Sequence, residues 1–193
     1  MAGVRIEITH NLVNPVLARA MAALGGRARQ LMLKDMGEYL LSSTRERAAR
    51  QVSPDGTAWQ ALSPRYKRQK DKQRPGLPML KFDNHMLGDR LSWQVDGNVL
   101  IVGSNAPYAA AQHFGHTYQR KARALELYFS QKAGVVGSRF VKKRKSNFVQ
   151  MANIGAHTVT LPARPWLGLS AQDETELVEI AKDHLARALD GGK

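Results

Sequence analysis

From Arg27 to Arg50, Leu31, Met32, Met36, Tyr39, Leu40 and Ser43 recur at spacings of three and four. That interval is the repeat of a helix, so this stretch is committed to one long amphipathic rod. A rod of this kind must lie on another apolar surface, and the rest of the chain has to provide it. Arg45, Arg47 and Arg50 load its last turns, where positive charge meets the negative end of the helix dipole. Ser53-Pro54-Asp55-Gly56 then forces a turn: Pro presets φ, Asp bonds its own backbone and Gly accepts positive φ.

Before the rod, Val4, Ile6 and Ile8 alternate with Arg5 and Glu7, the period of a half-buried strand. Asn14-Pro15 reads as a helix start, with Val16, Leu17, Ala20 and Leu24 on one face and Gly25-Gly26 as the end. After the rod, Ser63-Pro64 opens a short basic helix with Tyr66, Lys67, Arg68, Lys70 and Lys72, stopped by Arg74-Pro75-Gly76-Leu77-Pro78. Met79 to Leu91 is predicted as a further short helix with Leu80, Met86, Leu87 and Leu91 inward. Ser92–Val95 and Val99–Val102 flank Asp96-Gly97-Asn98, a hairpin signal. Near the end, Ser170 caps a final helix with Asp173 three residues on, and Leu177, Ile180, Ala181, His184, Leu185 and Ala188 form its buried stripe up to Gly191-Gly192.

The expected architecture is α+β: a small antiparallel sheet with a long N-terminal helix and a C-terminal helix packed on it, plus a long basic loop or hairpin excursion. With 193 residues and 43% hydrophobic content, the chain is expected to be a single domain over 1–193. The excursion covers 117–157, where Ala124 to Ser130 is expected as a helix and Val135-Val136 and Phe148 to Met151 as strands. Val159 and Leu161 read as a strand leading out of it.

Charge separates along the same boundaries. Lys and Arg number 29 against 16 Asp and Glu, a net charge of +13. Residues 45–74 hold +6 and residues 117–157 hold +8, whereas 170–193 hold −3. A net charge of magnitude ~2–8 already keeps a small domain soluble, so the surplus favours a polyanionic or acidic partner. Its sharpest point is Lys142-Lys143-Arg144-Lys145, which with Arg139 is the expected contact for DNA or for a protein partner; Phe140 and Phe148 flank the run. Trp59, Tyr108, Phe114 and Trp166 are expected core or interface anchors. Arg164, between Pro162 and Pro165, is expected to offer its fork of donors to a neighbour's carboxylate or to a carbonyl.

The chemistry of catalysis is missing from the pattern. There is no cysteine, which removes thiol chemistry, disulfides and Cys-based metal sites. No phosphate loop, dinucleotide fingerprint or Gly-x-Ser-x-Gly elbow is present. His113 and His116 lack companion ligands, and Asp83, Asp89 and Asp96 lack the spacing of a cation loop. The expectation is no enzyme, no cofactor and no metal. No apolar run approaches the ~20 residues of a membrane span, and Met1 to His10 lacks the apolar stretch of a secretory signal. The expected chain is soluble, made in the cytoplasm and without a membrane partner.

Four segments in order carry a family resemblance: Ser53-Pro54-Asp55-Gly56 with Trp59 and Leu62-Ser63-Pro64; Met79-Leu80 with Leu87-Gly88-Asp89-Arg90-Leu91; Pro107-Tyr108-Ala109-Ala110-Ala111-Gln112-His113-Phe114-Gly115; and Leu161-Pro162-Ala163-Arg164-Pro165-Trp166-Leu167-Gly168. Over about Arg27 to Leu189 the chain resembles the phage virion morphogenesis family, which includes tail completion proteins of Mu-like tailed phages. Ala111 and Trp166 depart from its usual larger aliphatic residue and Phe. The resemblance implies a structural virion protein of the neck, made and assembled in the host bacterial cytoplasm, that joins the tail to the DNA-filled head. It also implies a homo-hexameric ring, contacts with the tail terminator or tail tube and with the head connector, and packaged double-stranded DNA passing through. A ring of this kind needs two different patches per subunit. The alternative is a stand-alone basic nucleic-acid-binding module, for example on RNA; the chain lacks the glycine-aromatic motifs of RNA folds and a clear recognition helix.

Overall fold

The computed structural model describes residues 4–7 and 15–190. The expected caps at Asn14 and Gly191-Gly192, and Ile8, lie outside the described residues. The chain divides into two compact units: the residues up to His116 together with those from Pro162 on, and Thr117–Leu161.

In the first unit, helix α1 (Pro15–Ala23) precedes the rod α2 (Gly26–Arg50). Strands β1 (Val4–Glu7), β2 (Leu91–Asp96) and β3 (Val99–Ser104) make an antiparallel sheet in the order β1-β3-β2. Asp96 pairs with Val99, so the hairpin loop is Gly97-Asn98, and Gly97 supplies the positive φ of 57°. Helix α2 packs on β2 and β3, and the C-terminal helix, numbered α5 here (Ala171–Asp190), packs on α1 and α2. The core between them holds Met32, Met36, Leu40, Leu87, Leu100, Val102, Trp166, Leu177 and Ala181. The fold is α+β, with the sheet and both terminal helices as expected.

The buried face of α2 is rotated from the one the spacing suggested. Leu31 is 50% exposed, while Leu33, Gly37, Leu41 and Arg47 are buried. Gly37 marks the closest approach to the sheet: a Cβ there would lie 2.6 Å from Trp93 Cγ. Met79 to Leu91 is not a continuous helix; only a π-helical turn, His85–Asp89, forms. Leu80 and Asn84 take left-handed φ of 61° and 56°, which a helix does not allow, and Leu91 begins β2. Helix α3 (Pro64–Gln73) forms as read, with the Tyr66 amide donating to Ser63 Oγ at 3.4 Å. Helix α4 (Ala109–Phe114) completes this unit.

The second unit is built of strands, with one short helical turn at Lys143–Lys145. β4 (His116–Arg120) and β8 (His157–Leu161) form a two-stranded ribbon, joined also by Thr117 and Thr160 hydroxyls 3.3 Å apart. β5 (Arg123–Lys132), β6 (Val135–Phe140) and β7 (Phe148–Ile154) form an antiparallel sheet in the order β6-β5-β7. The helix expected over Ala124 to Ser130 is therefore a strand. Leu125, Leu127 and Phe129 alternate, and the register Leu125↔Ala152, Leu127↔Gln150, Phe129↔Phe148 uses that period of two. Phe140 and Phe148 both pair with Phe129, from opposite edges, so the basic connection between them crosses β5.

Candidate functional site

Three of the four motif segments meet in the first unit. The turn at Ser53 closes with the Gly56 amide donating to the Ser53 carbonyl at 2.9 Å and the Thr57 amide to Asp55 Oδ1 at 2.9 Å. Trp59 Nε1 donates to the Pro165 carbonyl at 3.0 Å. Arg164 reaches back to the Gln60 carbonyl through Nε at 3.2 Å and Nη2 at 3.1 Å. Its own amide donates to Gln112 at 2.8 Å, and Trp166 Nε1 donates to the Ala109 carbonyl at 3.2 Å, tying α4 to the same strap. Gly168, at φ 148°, passes so near Pro54 that a Cβ would sit 2.8 Å from its Cγ. Trp59, Arg164 and Trp166 are buried. Arg164 thus turns Nε and Nη2 of its fork onto a carbonyl, that of Gln60 in its own chain.

Tyr108 and Phe114 behave differently. They are 41% and 70% exposed, so neither is a core anchor within this unit. The His113 ring stands edge-on to Phe114 at 4.5 Å and to Trp166 at 5.9 Å, and burial pushes its pKa down, which favours the neutral ring.

A second knot went unseen in the sequence because its members are 126 residues apart. Arg47 Nη1 meets Asp173 Oδ2 at 2.5 Å, and Arg47 Nη2 donates to the Gly168 carbonyl at 2.8 Å. Asp173 also accepts from Ser43, from Tyr39 at 3.1 Å and from the Ser170 amide at 2.7 Å. The Asp173 amide in turn donates to Ser170 Oγ at 3.1 Å, so the near capping box read from the sequence is reciprocal. Burial raises the Asp173 pKa, but the bonds from Ser43 and Ser170 and the Arg47 charge outweigh it and hold the carboxyl below its ordinary value. Burial, with the Asp173 charge next, pushes the Tyr39 phenol up to about 12.

In the second unit, Lys143–Lys145 form a 3-10 turn. It is held by the Val141 amide on Tyr128 at 2.9 Å and the Asn147 amide on Phe129 at 3.2 Å. The Asn147 side chain copies a strand partner: the Gln131 amide donates to Oδ1 at 2.6 Å and Nδ2 donates to the Gln131 carbonyl at 2.8 Å. Arg139, Lys142, Lys143, Arg144 and Lys145 are all exposed, and Lys143 Nζ stands 5.7 Å from the Tyr128 ring centre. The cations thus ride on a hydrogen-bonded turn. Around them Val135, Phe140, Val149 and Met151 are each at least half exposed, and Phe129 is the buried apolar residue of this unit.

Among the described residues, no three His, Asp or Glu stand together to hold a metal, and no helix is long and apolar enough to cross a membrane. The arrangement offers surfaces for binding. A model of the phage virion morphogenesis family matches residues 8–186. This chain belongs to that family. Every segment that carried the resemblance lies inside the matched region, and the strap over Trp59 and Arg164 is where three of them are joined. The Mu-like prophage FluMu G protein 2 of Haemophilus influenzae is 29% identical over 153 residues, which cover 76% of this chain and 84% of that one. No solved structure matches the chain. Membership assigns the chain a part in building the phage virion.

Proposed function

We propose that this virion morphogenesis protein is a non-enzymatic component of the neck that completes the tail and joins it to the DNA-filled head. Six copies form a ring around the DNA channel, and the ring touches the tail terminator or tail tube on one side and the head connector on the other. The observation that carries this reading is the cationic turn at Lys142–Lys145: four exposed charges on a turn held by main-chain bonds. Such a surface serves a fixed polyanion or an acidic protein face better than it serves a diffusing substrate. Exposed Phe114 and Tyr108 supply anchors for a neighbouring copy. A phage lacking this chain should accumulate filled heads and finished tails that remain apart, and adding the purified protein should join them. Joined, infectious particles at normal yield without the chain would defeat the proposal.

A further inference from the structure

Helix α3, Pro64–Gln73, has a composition that packing does not explain. Its sequence Pro-Arg-Tyr-Lys-Arg-Gln-Lys-Asp-Lys-Gln has no apolar face, and Lys70 is its buried residue. Lys70 Nζ donates to the Leu77 carbonyl, so the segment that follows the helix folds back over that side. Successive residues advance about 100° around a helix, so Arg65, Arg68 and Lys72 share a sector of about 60° on the side away from Lys70. All three are exposed, and none pairs with a carboxylate among the described residues. Asp71, the helix's one carboxylate, is exposed on the flank of that sector. Like charges three and four residues apart weaken a helix, and this one gains nothing from an apolar stripe.

We propose that the Arg65–Arg68–Lys72 face of α3 binds the phosphate backbone of double-stranded DNA without regard to sequence, as a site separate from the Lys142–Lys145 turn. The chemistry separates DNA from an acidic protein. A protein interface buries an apolar centre, and this sector holds only Arg65, Arg68 and Lys72, with Gln69 beside it. Interfaces with DNA are polar and strongly positive. Arg65 to Lys72 spans about 10 Å of helix axis. Duplex DNA carries a charge every ~1.7 Å of its axis, so three cations find phosphates in any register. The inference does not depend on a ring or on a position in the neck.

The test uses the full chain and a 20-base-pair DNA duplex of arbitrary sequence, with affinity measured by anisotropy across a salt series. The Arg65→Gln, Arg68→Gln, Lys72→Gln variant, with circular dichroism matching the parent, is expected to bind more weakly and to flatten the log–log salt slope by about 2.7, the release expected for three phosphate contacts. Asp71→Asn removes the flanking anion and is expected to tighten binding. On duplex binding, the α3 amides should exchange more slowly with deuterium. An unchanged slope in the folded triple variant would overturn the proposal. So would weaker joining of heads to tails by that variant with its DNA affinity intact, since the face would then serve a protein.

Discussion

Asp173 shows how much one side chain can hold. It caps α5, takes the charge of Arg47 and accepts from Ser43 and Tyr39, all with 0% exposure. Asp173→Ala leaves the Arg47 guanidinium buried and unpaired, and should cost about 3–5 kcal/mol in denaturant unfolding. The pH dependence follows in sign. The folded pKa of Asp173 is depressed, so its contribution is present above the unfolded value of about 4 and is lost as pH falls through the folded value. Asp173→Asn should flatten the acid limb of a stability–pH curve. Tyr39 runs the other way: its folded pKa is raised to about 12, so its contribution is full below pH 10 and is lost between 10 and 12. Tyr39→Phe should remove that alkaline loss. Gly37 is the second residue with a clear test. Gly37→Ala should destabilise by about 1–3 kcal/mol through the Trp93 ring, despite the better helix propensity of Ala. With Trp93→Val in place, the same change should become neutral or stabilising.

At the scale of elements, the turn at Lys142–Lys145 separates surface chemistry from support. The cations are exposed and the turn is held by backbone bonds and by Asn147. Replacing all four cations with Ser should leave the melting temperature nearly unchanged while weakening DNA retention or head–tail joining. Asn147→Ala should do the reverse locally, speeding hydrogen exchange at Gln131 while the charge is untouched. Equal loss of stability in the two variants would mean that the cations help hold the turn. The sheet that carries this turn shows why β5 looked helical. Its alternating Leu125, Leu127 and Phe129 sit beside Glu126 and Lys132, residues that also suit a helix, and the tie is broken only by pairing with β7.

For the whole molecule, the division into two units bears on assembly. The first has a packed core, and the second buries little beyond Phe129. Three-stranded sheets of this size gain stability by being covered, and this one exposes apolar side chains on both faces, Phe140 on the face of Phe129 and Val149 with Met151 on the other, which suit burial during assembly. Native mass spectrometry of the purified chain, alone and with finished tails, should show six copies in the tail-bound form. A single tail-bound copy would contradict the ring.

Periodicity and capping were enough to determine the long helix, the final helix with its Ser170–Asp173 box, the hairpin around Gly97 and the location of the positive charge. These depend on residues within a few positions of one another, where chain geometry acts alone. The order of four short segments was enough to place the chain in its family. Tertiary structure decided what each distant partner did. It turned Arg164 inward onto Gln60, made Arg47 a buried partner of Asp173, left Phe114 in solvent and made residues 123–132 a strand. The physical reason is common to all of them. Whether a polar side chain is buried, or a short apolar run is extended, depends on donors, acceptors and strands that lie far off in the chain, as Tyr39 and Asp173 do at a separation of 134 residues.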